Sequence, residues 1–144
     1  VKYNDTVELI KSIADTLLTS GTFVHGRRID GSIIFDKPFP QIHLLPFTVS
    51  KNRVNLFDTA SLIIGFWFQD KPDSTPEERQ EIISEADILC EAFIVALEAR
   101  VNSVLEVPVQ IDSVKTEPQY YNYMATASGY ALTFNLISQS EIKC

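Results

Sequence analysis

Between Thr59 and Val101 the hydrophobic pattern changes period, from an apolar run of strand length to a stripe that recurs every three or four residues. The first part, SLIIGFWFQ, places Ile64, Phe66 and Phe68 on one face of a strand and Ile63, Gly65 and Trp67 on the other. Both faces are apolar, so this strand is expected at the centre of a sheet, with Gly65 making room for a helix or an aromatic ring. The second part predicts a helix. Thr75 as cap, Pro76 at the first helical position and Glu78 three residues after the cap form a start signal, and Glu77 and Glu78 suit the positive end of the helix dipole. Ile82, Ala86, Leu89, Phe93 and Leu97 follow at helical spacing, widened by Ile83, Cys90, Ile94 and Val101, while Glu81, Glu85, Glu91 and Glu98 lie off the stripe. At about 1.5 Å per residue, a helix from Pro76 to Val101 spans close to 40 Å, enough to cross a sheet.

The same reading orders the rest of the chain. Asp5 caps a first helix with Glu8 three residues on, and Val7, Ile10, Ala14 and Leu17 form its apolar face until Ser20 and Gly21. A strand from Thr22 to Ile29 turns near Asp30 and Gly31. Prolines at positions 38, 40 and 46 bracket a short strand, Gln41 to Leu45, and place it at a sheet edge or end. Ser50 to Asp58, with Lys51, Asn52 and Arg53, reads as a polar hairpin tip or loop. Val107, Val109 and Ile111 alternate, as do Tyr130, Leu132, Phe134 and Leu136, which predicts a closing strand pair. The intervening Thr116 to Ala127, with Tyr120, Tyr121 and Tyr123, reads as a loop. The fold class is therefore α+β: one domain over residues 1–144, with a four- to five-stranded, mostly antiparallel sheet and two helices packed on one face.

Composition narrows the function classes. With 45% hydrophobic and 22% charged residues, the chain of 144 residues is expected to build one core without staples. Its apolar runs are too short for a membrane span and its first residues lack the blocks of a secretory signal. The net charge of -7 and the scattered basic residues speak against a nucleic-acid grip, which needs a basic stripe to neutralise phosphates. An acidic surface instead suits a wall that DNA passes without sticking.

Catalytic signals are absent from the pattern. His25 and His43, with Asp30 and Asp36 nearby, lack metal-ligand spacing; Ser128 and Gly129 form no nucleophile elbow; and five glycines make no phosphate loop. Cys90 and Cys144 have no metal or redox spacing. The expectation is a protein that is not an enzyme, with no cofactor and no metal.

The order of elements, with FPQIHLLPF, SLIIGFWF, the long helix and the closing GYALTFNL, resembles the tail terminator and tail completion proteins of tailed bacteriophages over Val7 to Ile137. The segment FWFQDKPDSTPEERQEIISEADILCEAFIVAL is also similar to small virion proteins of phages that infect Bacteroidetes. The resemblance implies a structural virion protein, a tail terminator, tail completion or head-tail connector component, assembled in the host bacterial cytoplasm. It implies a homo-oligomeric ring of about six or twelve copies at the neck or tail end, bound to other phage neck and tail proteins, with DNA passing unbound through the channel. Subunit contacts are expected at Gln41 and His43 on the short strand, at Lys51, Asn52 and Arg53, and at Tyr120, Tyr121 and Tyr123. The alternative is a small cytosolic ligand-binding or regulatory α+β domain, with the tyrosine segment and His25 lining a pocket.

Overall fold

The structure, a computed structural model, describes residues 3–26, 38–71, 73–104, 109–122 and 127–139. In chain order these form α1 (Tyr3–Leu17), β1 (Thr22–His25), β2 (Gln41–Leu44), β3 (Thr48–Asn52), β4 (Phe57–Gln69), α2 (Pro76–Val104), β5 (Val109–Asn122) and β6 (Ala127–Gln139). The α+β class holds, with two helices among the described residues. The sheet departs from the expected one: it has six strands in the order β1-β2-β4-β6-β5, with β3 also paired to β4, and it is mixed, because β1 runs parallel to β2. The link from His25 to Gln41 is long enough for a crossover, which a parallel pair needs and a hairpin does not. β1 stops at His25, with Gly26 already in a bend, so the expected strand does not run unbroken to Ile29; the expected turn at Asp30 and Gly31 lies outside the described residues.

The expected central strand is central. β4 spans 13 residues and pairs along its whole length with β6, while its other side is shared by β3 at Phe57–Ser61 and β2 at Ile64–Trp67. Its even-numbered side chains, Ala60, Leu62, Ile64 and Phe66, are buried in one core with Ile42, Leu44, Leu132, Phe134 and Leu136. Both helices add to that core, α1 through Leu9, Ile10, Ile13 and Ala14, α2 through Cys90, Phe93, Leu97 and Val101, and β5 contributes Val109. Phe93 meets Phe66 edge to face, with ring centroids 5.4 Å apart. The apolar stripe of α2 centres on Ile83, Ala86, Cys90, Phe93, Leu97 and Val101, so Ile82, Leu89 and Ile94 sit at its margins, and Glu81, Glu85, Glu91 and Glu98 are exposed as expected. α1 begins at Tyr3, which puts Asp5 inside its first turn rather than at the cap.

The opposite face of β4 is divided. Trp67 is buried with Ala127 and Phe39, and its indole lies over Gly65, where an added Cβ would collide with the ring nitrogen. Gly65 thus makes room for an aromatic ring, one of the two readings of its sequence. Further along, Ser61 and Ile63 are exposed. At Gly129, facing Trp67 across the β4–β6 pair, a Cβ would meet the carbonyl oxygen of Phe66. Only glycine lets the two strands pair there.

Candidate functional site

The expected contact residues fall in three separate places. Gln41 and His43 do not lie on an edge: β2 is interior, between β1 and β4, and all four of its side chains are buried. The flanking prolines bound the strand without excluding it from the middle of the sheet, because none of them occupies a paired position. His43 donates from Nε2 to the carbonyl of Gly26 at 2.6 Å. His25 donates from Nδ1 to the carbonyl of Leu44 at 2.8 Å, which leaves Nε2 to accept from the hydroxyl of Tyr3 at 2.9 Å. Tyr3 in turn stacks on Phe47, ring centroids 4.2 Å apart. These histidines fasten α1, β1 and β2 together. Among the described residues there is no group of three or more metal-capable side chains.

Lys51 and Asn52 end β3, Arg53 opens the turn into β4, and all three are exposed. The segment expected as a polar hairpin tip or loop is the tip of the β3–β4 hairpin, and the strand at Thr48–Asn52 leaves no sign in the sequence because β3 has little apolar character. The tip is ordered by its own side chains. The amide oxygen of Asn52 accepts from the backbone N–H groups of Val54 and Asn55 at 2.9 and 3.2 Å, and that of Asn55 from Phe57 N–H at 3.2 Å. Leu56, at φ 60, completes the turn in a left-handed conformation. This fixed loop holds out Val54, which is 95% exposed.

Tyr120 and Tyr121 are in strand, not loop: β5 runs to Asn122. Thr116 to Asn122 lacks core periodicity because β5 is an edge strand, and Lys115 and Glu117 stand exposed beside Thr116. Pro118 is tolerated there for the same reason. Tyr123 lies outside the described residues. Asn122 pairs with Ala127, opposite Gln69 at the end of β4, whereas Asn52 pairs with Phe57 at its beginning. The tyrosines and the hairpin tip thus sit at opposite ends of the sheet, roughly 40 Å apart at about 3.3 Å per strand residue. They do not converge on one surface.

A polar cluster that the sequence reading did not find stands at the start of α2. Asp70 is buried and its carboxylate accepts four hydrogen bonds: Ser128 Oγ at 2.5 Å, Ser74 Oγ at 2.6 Å, Lys71 N–H at 2.7 Å and Arg79 Nε at 2.8 Å. Burial alone would raise its pKa, but the donors from Ser128, Ser74, Arg79 and Lys71 outweigh it and hold the carboxyl down to about 2. An acidic residue at the end of an apolar strand was the one legible signal; its partner Ser128, 58 residues away, left none. Beside it the expected helix start is present. Thr75 Oγ1 accepts from Glu78 N–H at 3.2 Å and donates to the Glu78 carboxylate at 3.2 Å. A groove of about 390 Å³ borders Pro76, Arg79, Gln80 and Ile83. Arg79 turns Nε to Asp70 and Nη2 to the carbonyl of Lys71, at 2.8 and 2.9 Å, so its guanidinium serves the fold.

Among the described residues the free thiol is that of Cys90, fully buried in α2. Burial, reinforced by Asp87 and Glu91, pushes its thiol up to about 12, so it carries almost no thiolate near neutrality. The described site residues hold together a sheet, two helices and a hairpin. No protein-family model matches this sequence, and no curated protein matches it.

Proposed function

We propose that this chain is a structural protein that closes into a ring at the neck or tail end of a bacteriophage, joining tail to head around the DNA channel. The β3–β4 hairpin carries the reading: a loop fixed by Asn52 and Asn55 that holds an apolar side chain, Val54, in solvent and supplies nothing to the core. Such a preformed projection lowers the ordering cost of a contact. Two sheet edges support it. β3 and the regular part of β5, Gln110–Asp112, flank the same end of the sheet on opposite sides, and among the described residues neither has a strand partner on its outer edge. A contact from one edge to the opposite edge of the next copy is heterologous, and it makes a ring when its rotation closes. Further along, β5 is blunted by irregularities after Asp112 and Gln119 and by Lys115 and Pro118, which favours the regular part for pairing. The net charge of -7 suits a channel wall that does not retain DNA.

The test is the mass of the purified protein, alone and with candidate neck and tail proteins, by sedimentation or native mass spectrometry. A closed species of about six or twelve copies is expected. The double variant Arg53→Glu with Val54→Asp should yield smaller species with unchanged circular dichroism. A parent that stays monomeric at all concentrations and with every tail partner overturns the proposal, as does a ring untouched by the double variant together with disruption of the β3 and β5 edges.

A further inference from the structure

A second exposed feature belongs to none of the edges. The outer face of α2, away from the core stripe, carries Ile88 and Val95, 68% and 64% exposed, with Ala92 and Ala99 completing a spacing of four, three and four residues. That is the seam spacing by which one helix receives another, and the two alanines allow close approach. Glu91 and Glu98 occupy positions that flank such a seam, and exposed Glu85 lies just before Ile88. From Gln80 to Ala99 the helix bears five carboxylates, Glu81, Glu85, Asp87, Glu91 and Glu98, and neither lysine nor arginine.

Charge decides what can cover this stripe. Two copies laid antiparallel would bring Glu91 against Glu98, and in either direction two helices that each carry five carboxylates and no cation from Gln80 to Ala99 would repel. Area points the same way: one stripe over about three turns offers on the order of a few hundred Å², short of the roughly 800 Å² a side of a stable globular interface, and suited to a single helix. We infer that the outer face of α2 is a docking surface for an amphipathic helix of another protein, apolar at seam spacing and flanked by lysine or arginine. The inference stands apart from ring closure, since the stripe shares no residue with the hairpin or the sheet edges.

The probe is a helical peptide of about three heptads with leucine at the seam and lysine at the flanks. Its controls are the same peptide with glutamate flanks and a scrambled lysine-rich peptide of equal charge. Fluorescence anisotropy should show binding of the first alone, weakening as salt rises. Ile88→Ser with Val95→Ser should reduce it at least about tenfold, the loss of about 1.4 kcal/mol expected when apolar seam contacts are removed. Glu91→Lys with Glu98→Lys, a surface change that leaves the core alone, should transfer preference to the glutamate-flanked peptide. No binding by the parent, equal binding of the scrambled peptide, or no loss in the serine variant overturns the inference. So does self-association of the parent that the serine variant abolishes, because the stripe would then be covered by a second copy.

Discussion

Asp70→Asn tests whether the buried carboxylate, rather than mere polarity, ties the end of β4 to the start of α2 and to β6. The carboxyl would ordinarily titrate at 3.8 and is held near 2 by its donors, and its side chain is fully buried. At about 1.36 kcal/mol per pH unit, the preference for the ionised form is worth about 2 kcal/mol near neutrality. Asparagine removes that and does further harm, because its amide group is a donor facing Arg79 Nε–H and the Ser128 and Ser74 hydroxyls, and one remaining oxygen cannot serve all of them. The expected loss at neutral pH is about 2–4 kcal/mol, or a midpoint lower by roughly 5–15 °C. The sign with pH follows from the lowered value. The stabilisation is complete above about pH 4 and disappears as pH falls through about 2, so the gap between parent and variant should narrow by about 2 kcal/mol over that range. Urea unfolding of both proteins at a series of pH values measures the gap directly, and the other carboxylates cancel in the difference. A variant as stable as the parent at neutral pH, or a gap that stays constant through acid, would mean that the Asp70 charge does not stabilise the fold.

Three further outcomes follow from the packing. Phe93→Ala, which deletes a fully buried ring set against Phe66, should cost about 3–5 kcal/mol in a denaturant melt, while Glu85→Ala on the exposed side should change little. Thr75→Ala should cost about 1 kcal/mol by itself, because Ser74 is already committed to Asp70 and is not free to replace the cap; a neutral result in thermal unfolding would mean that α2 starts from another donor. Gly65→Ala should displace the indole of Trp67, the only tryptophan in the chain, costing about 1–3 kcal/mol and shifting the emission maximum of the folded protein; unchanged fluorescence would contradict the ring's position over Gly65.

Local chemistry was legible residue by residue. Thr75, Pro76 and Glu78 mark the start of α2 because a cap is made among neighbours in sequence, and Phe93, Leu97 and Val101 mark its inner face because helical spacing is fixed by the backbone. The all-apolar run of β4 identified the strand that the sheet is built around. Where side chains are solvated, that signal vanishes: β3 and the far half of β5 carry little apolar alternation, and only backbone pairing makes them strands. Partner choice was decided only in three dimensions. The prolines around Gln41–Leu44 suggested an edge, yet β1 arrives in parallel on one side and β4 on the other, and Gln41 and His43 become interior residues. The Asp70 cluster depends on β6 placing Ser128 beside the end of β4, a register set by thirteen paired residues and by the absence of a side chain at Gly129. Helix and buried strand are thus written locally along the chain, because those preferences act over a few residues. Strand order, direction and the polar hub were decided by the tertiary structure, because each results from segments far apart in the chain competing for the same backbone hydrogen bonds and the same apolar surface.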